Sequence, residues 1–180
     1  PRGLRVLVIA PHEDDEMIGP GGTVIRVLEA GIPLRVLYLT DDSGPRGAER
    51  RRETLAVSAE FGYETEFLGY PSGRLPVNTE SATNLAGAIN DYAPDVLLLP
   101  FLSDDHPEHR AASALLREAV RKGGLNAKPE IWAYQVYSAL LANVVVDITE
   151  FAVRKAEAIR MWRESAMRSR DWAHFALGLN

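Results

Sequence analysis

The chain contains no cysteine, which excludes a thiol nucleophile, a disulfide framework, a zinc finger and an iron–sulfur site. Any metal must therefore be held by histidine and carboxylate. Long apolar runs are missing too: the longest, Val6 to Ala10 and Val96 to Phe101, fall far short of the roughly 20 residues that cross a bilayer, and no signal-peptide pattern precedes them. We expect a cytoplasmic protein without a membrane span. There is no excess of positive charge, with 20 Lys and Arg against 25 Asp and Glu for a net charge of -5, which argues against a general nucleic-acid binder. Neither G-x-G-x-x-G nor G-x-S-x-G occurs, which speaks against a dinucleotide-binding turn and a serine-hydrolase elbow. With 46% hydrophobic and 25% charged residues over 180 positions, the chain reads as one globular domain spanning 1–180. It begins at Pro1 rather than Met and stops at Asn180, which suits a processed, trimmed or excised piece.

Short β-branched runs alternate with helical spacing. Arg5 to Ala10, Leu34 to Thr40, Glu64 to Leu68, Asp95 to Leu99 and Ile131 to Tyr137 read as strands. Thr23 to Ala30, Ala48 to Phe61, Ser81 to Tyr92 and Pro107 to Arg121 read as helices between them. Strand–helix alternation with short connections predicts an α/β, three-layer Rossmann-like fold, its mostly parallel sheet ordered 3-2-1-4-5. In the tail, Asp147 and Glu150 form a capping-box pattern that predicts a helix through Arg168, with Phe151, Ile159 and Trp162 as its packing stripe.

Chemistry-bearing residues collect at two strand ends. The first strand runs into Pro11-His12-Glu13-Asp14-Asp15-Glu16, where four adjacent carboxylates repel one another and a divalent cation would relieve them. Alone, that loop reads equally well as a solvated acidic turn at a helix start. The second cluster, Ser103-Asp104-Asp105-His106-Pro107-Glu108-His109 after the fourth strand, tips the balance, because three of the four histidines now lie in two strand-end loops. In the 3-2-1-4-5 order those loops share one crevice. His12, Asp15 and His109 would supply two imidazoles and a carboxylate with an open position, the plan of a catalytic zinc site that iron(II) also fits. Asp14 is the candidate base beside them. His174, between aromatic and alanine residues, reads as a packing or surface histidine. The pair Gly21-Gly22 suits either close approach of a ligand or a tight helix entry.

These motifs resemble the LmbE-like, or PIG-L, family of metal-dependent N-acyl deacetylases, whose pattern is Pro-His-Pro-Asp-Asp-Glu after the first strand and His-Pro-Asp-His after the fourth. Arg50 and Glu53 on the second long helix and Val146-Asp147-Ile148-Thr149 with Lys155 agree with it. The resemblance implies that His12, Asp15 and His109 bind zinc, that Asp14 is general base and then general acid, and that His106 stabilises the oxyanion. It also implies that Arg50 contacts substrate, while Asp41 and Asp42, in the same crevice, either bind sugar hydroxyls or cap a turn. The expected substrate is an N-acetylated glucosamine-type sugar or glycoconjugate. A metal- or sugar-binding module without chemistry is the alternative, and Asp14 separates the two, since a binding module needs no base. Glu13 stands where the pattern has proline, which is expected to loosen the loop and add negative charge beside the metal, tightening metal binding or raising the pKa of Asp14. Glu108 stands where the pattern has aspartate. Specificity is expected in the loops Gly69 to Glu80 and Ala127 to Asn143, and part of the substrate wall is expected either to be missing or to come from a neighbouring copy in a homo-oligomer.

Overall fold

The computed structural model describes residues 3–163 and 171–178. In chain order its elements are β1 (Val6–Ala10), α1 (Asp15–Ile18), α2 (Gly21–Glu29), β2 (Leu34–Asp41), α3 (Gly44–Phe61), β3 (Glu64–Pro71), α4 (Thr79–Tyr92), β4 (Val96–Pro100), α5 (Pro107–Arg121), β5 (Glu130–Tyr134), a 3-10 turn (Thr149–Phe151), α6 (Ala152–Ile159) and α7 (Trp172–Gly178).

The five strands form one sheet in the order β3-β2-β1-β4-β5, every neighbouring pair parallel, as the sequence leads one to expect. Parallel strands covered on both faces must be apolar at every position, and β1 is buried throughout. Alternation then divides the core. Val6, Val8, Ala10, Val36 and Tyr38 face a layer containing α2, α6 and Trp162, while Leu7, Ile9, Leu37 and Leu39 face α4 and α5. Each fully buried Leu or Ile contributes about 1.5–3 kcal/mol relative to exposure, which holds the central strands in register. The register places Val6 of β1 opposite both Leu34 of β2 and Val96 of β4, so the carboxyl ends of all three strands open on one crevice.

Several local details depart from expectation. A short helix, α1, begins at Asp15 directly after the acidic loop, and α2 starts at Gly21. The Gly21-Gly22 pair makes room for protein: a Cβ at Gly22 would lie 2.5 Å from the Ile148 side chain, and one at Gly21 3.3 Å from Lys155. β5 ends at Tyr134, after which the chain turns toward the β4–α5 loop. The capping box at Asp147 does not form as expected. Its carboxylate accepts from Thr149 N and Oγ1 at 3.0 and 2.7 Å, producing the 3-10 turn, and the helix runs only from Ala152 to Ile159. The rest of the stretch expected to be helical, 164–168, lies outside the described residues. Ile159 and Trp162 of its stripe are fully buried, whereas Phe151 is half-buried. His174 is exposed on α7. Among the described residues no helix is long and apolar enough to cross a membrane.

Candidate metal centre

The β1–α1 loop and the start of α5 bring their histidines together over the carboxyl end of the sheet. His12 Nδ1 lies 3.0 Å from Asp15 Oδ2, His109 Nε2 lies 3.2 Å from the same oxygen, and the two nitrogens are 3.3 Å apart. Adjacent ligands of a tetrahedral ion with bonds of about 2.0–2.1 Å stand roughly 3.3 Å apart, so these three atoms have the spacing of one ligand face. The three imidazoles of His12, His106 and His109 also offer nitrogens close together, but only within 4.8 Å, a looser set than the one containing Asp15.

Two further carboxylates orient the imidazoles. Glu108 Oε2 accepts from His12 Nε2 at 2.9 Å, and Asp104 Oδ1 accepts from His109 Nδ1 at 3.0 Å. Each bond places an N–H on the outward nitrogen, so that once a cation displaces the inward proton, His12 Nδ1 and His109 Nε2, the atoms that face Asp15, offer it their lone pairs. The carboxylates are themselves held. Glu108 accepts from the backbone N–H of Gly73 and Leu75, and Asp104 from those of His106 and Tyr137. The Tyr137 ring stacks on His109 at 5.2 Å.

The electrostatics call for a cation. Burial opposes charge on His12, yet Asp15 and the hydrogen bonds to Asp15 and Glu108 outweigh it and lift the imidazole to about 10. Burial likewise opposes ionisation of Asp15, but His109 and His12 hold it well below the usual carboxylate range. Asp15 Oδ1 is buried with no hydrogen-bond partner among the described residues. A donor triangle of this spacing, with tautomers set by outer carboxylates and one buried carboxylate oxygen unsatisfied, fits a divalent ion held by His12, Asp15 and His109.

Asp14 stands beside this triangle and is oriented from α3. Arg50 NH2 lies 2.8 Å from Asp14 Oδ2, and Arg50 also reaches Asp42 Oδ2 at 3.4 Å and the Glu13 carbonyl at 3.0 Å. Burial pushes the Asp14 carboxyl up to about 6 although Arg50 pulls it down. Asp41 pairs with Arg51 at 2.9 Å. Arg50, Asp41 and Asp42 thus line the same end of the sheet, Arg50 tied to Asp42 and the acidic loop and Asp41 to Arg51. His106 caps α5. Its Nδ1 accepts from Glu108 N at 3.3 Å, so its N–H is on Nε2, and burial followed by the charges of His12 and His109 lowers its pKa.

Reading the sequence missed three residues here. Asp104 was visible only as one acid in a polar loop, Glu108 only as a departure from a pattern, and Glu13 as a source of looseness and of charge beside the metal. In the structure Glu13 is buried and bonded to Arg51 and Thr54 of α3, and it is not among the main causes of the Asp14 shift. The adjacent acids did carry a signal: four carboxylates in a row cannot all be solvated at a strand end buried between helices.

The chain is similar to known proteins over most of its length. The family model described as PIG-L, GlcNAc-PI de-N-acetylase, matches residues 7–120. Diacetylchitobiose deacetylase of Thermococcus kodakarensis is 32% identical over 181 residues, covering 87% of this chain and 68% of that protein. Among solved structures, the conserved protein TT1542 from Thermus thermophilus is 31% identical with a TM-score of 0.78, covering 90% of this chain and 80% of the other. The N,N'-diacetylchitobiose deacetylase of Pyrococcus horikoshii, solved with an inhibitor, superposes with a TM-score of 0.81 at 25% identity, covering 96% and 75%. The chain belongs to the PIG-L family and is an enzyme of the amidohydrolase class.

Proposed function

We propose that this enzyme hydrolyses the N-acetyl amide of a small glucosamine-type sugar or glycoconjugate, with zinc as its metal, iron(II) being compatible with the same donors. The observation that carries the reading is the His12–Asp15–His109 donor triangle with Asp14 adjacent to it. A zinc ion held there supplies Lewis-acid polarisation of the amide carbonyl and a lowered pKa for water.

The side chains supply the rest. Asp14, with a pKa near 6, is ionised at neutral pH and is poised to take a proton from the attacking water. The water oxygen bonds to the carbonyl carbon, and the C–N bond breaks as the proton held by Asp14 passes to the departing nitrogen, so that water and amide yield a carboxylate and an ammonium group. His106 presents Nε2–H to the developing oxyanion, its orientation fixed by the bond from Glu108 N to Nδ1. Arg50 fixes the Asp14 carboxylate and has further N–H groups for substrate oxygens, while Asp41 and Asp42 are placed to accept from sugar hydroxyls.

The test uses zinc-loaded protein with N-acetylglucosamine and N,N'-diacetylchitobiose, following amine release and measuring zinc content by mass spectrometry. Asp14→Asn is expected to keep the metal and lose about 10²- to 10⁴-fold in rate. His109→Ala is expected to lose both metal and activity. Wild-type turnover in Asp14→Asn would remove the base from the mechanism and favour a different role for this end of the sheet.

A further inference from the structure

Glu13 lies between a metal-ligand candidate and the base, yet it takes no part in the chemistry above. Its side chain is 3% exposed. A carboxylate withdrawn from water persists only where hydrogen-bond or charge partners replace the solvent, and the partners of Glu13 lie on one helix. Arg51 Nε donates to Glu13 Oε1 at 3.0 Å, and Thr54 Oγ1 donates to Oε2 at 2.7 Å. Arg50 Nε donates to the Glu13 backbone carbonyl at 3.0 Å.

Those partners are themselves held. The Arg51 guanidinium lies 2.9 Å from Asp41 Oδ2 and sits 3.4 Å over the Phe67 ring, so β2 and β3 both fix it. Thr54 accepts from the Trp162 indole N–H at 3.2 Å, and Trp162 is fully buried in the layer beneath the loop. Glu13 is thus tied through α3 to two strands and to the segment after α6. Where the family pattern has proline, the ring restricts the loop from within. Here three bonds to a neighbouring helix restrict it from outside, and no hydrogen bond from the Glu13 N–H is found among the described residues that a proline would break.

We propose that Glu13 is a positioning residue: its carboxylate, seated between Arg51 and Thr54, holds the β1–α1 loop in the conformation that sets His12 against Asp15 and turns Asp14 toward Arg50, a role that rests on reading His12 and Asp15 as ligands and Asp14 as base. Glu13 acts on the site through the backbone it shares with His12 and Asp14. Removing its anchor frees both at once, whereas a structural salt bridge elsewhere on α3 would change stability alone.

The experiment compares Glu13→Ala, Glu13→Pro and Thr54→Val with the wild-type chain. Zinc affinity is read by competition with a chromophoric chelator, the coordination sphere by the visible spectrum of the cobalt(II)-substituted protein, and turnover by kcat and KM. Glu13→Ala is expected to weaken zinc binding and lower kcat by about tenfold each, with KM changed less than about twofold, and to shift the cobalt bands. Glu13→Pro is expected to recover most of the lost zinc affinity, because the ring restores the restriction by another route. Thr54→Val is expected to cost about threefold in zinc affinity and to add nothing in the Glu13→Ala background, as one shared anchor requires. Should Glu13→Ala fail to fold by circular dichroism, Glu13→Gln, which keeps the length and removes the charge facing Arg51, takes its place with the same direction of change. Wild-type zinc affinity and cobalt spectrum in a folded Glu13→Ala protein, with only the melting temperature lowered, would overturn the positioning role. So would a proline variant that binds zinc worse than the alanine one. If the wild type released no amine from any N-acylated sugar, the proposed reaction would fall, while the zinc and cobalt readouts would still decide the role of Glu13.

Discussion

The two ends of the sheet use the same charged residue types to opposite effect. At the amino ends, Arg35 of β2 meets Glu64 and Glu66 of β3 at 2.9 Å each and Asp91 of α4 at 3.3 Å, and together with Arg5 it brackets the Tyr92 ring. Glu64 and Asp91 are 63% and 77% exposed, so water shares their charge and the pairs only adjust surface stability. At the carboxyl ends, the side chains of Asp15 and His109 are fully buried, and each charge persists because another is beside it. Among the described residues the large shifts toward or across neutral pH lie at this end: His12 up to about 10, Glu16 up to about 8, Asp14 up to about 6 and Lys155 down to about 8. Desolvation rather than charge count separates the two ends.

The largest effect that would sharpen this contrast is at Lys155, which is fully buried on α6 and donates to the Gly19 carbonyl at 2.9 Å, at the end of α1. Burial lowers its pKa from 10.5 to about 8. The folded chain therefore releases this proton before the unfolded chain does. Between pH 8 and 10.5 the unfolded state holds more protons, and stability rises with pH through that window. Below pH 8 the whole cost of the buried ammonium is present. At 1.36 kcal/mol per unit the change is of order 3 kcal/mol. Unfolding of wild type and Lys155→Met by denaturant at pH 7.5 and pH 10.5 measures it: the wild type is expected to gain on the variant as pH rises. Parallel curves would mean that this ammonium carries no such cost.

A smaller effect is expected at Asp104, which orients His109 through one oxygen and gathers the loop backbone with both. Asp104→Asn leaves a single acceptor for these donors and removes the charge facing the imidazole N–H. Zinc affinity is expected to fall by about 10- to 100-fold, and chelator competition measures it. An unchanged affinity would show that His109 is oriented by packing against Tyr137 alone.

The sheet and its order were legible because β1, β2 and β4 are apolar on both faces and no other element could use such runs. The meeting of His12, Asp14, Asp15, His106 and His109 at one end of the sheet was legible because histidine and carboxylate at two strand ends must meet once those strands are neighbours. The orienting residues were not, since a sequence displays a carboxylate but not the donor it faces. Asp104 finds His109 five positions along, whereas Glu13 finds Arg51 and Thr54 across some 40 residues. The tail misled for a related reason. Asp147 was expected to open a helix with Glu150, but its carboxylate is taken up by Thr149, and Ile148 is drawn into the space left by Gly22.

The smallest expected effect lies at the other end of the sheet and would break the comparison if it were large. Arg35→Gln keeps most of the stem and removes the charge shared by Glu64, Glu66 and Asp91. Exposed pairs of this kind contribute up to about 1 kcal/mol, and the stacking of the guanidinium on Tyr92 adds a similar amount at most. The loss in stability is expected to be about 1 kcal/mol and to shrink between 0.1 and 1 M salt, where the screening length falls from about 10 Å to about 3 Å. Zinc affinity and kcat are expected to stay at wild-type values, because the intervening strands are packed apolar residues with no charged relay. A change in zinc affinity beyond about twofold would mean that strain at the amino ends is carried along β2 to Asp41, Arg51 and the acidic loop, and the two ends would then have to be treated as one electrostatic unit.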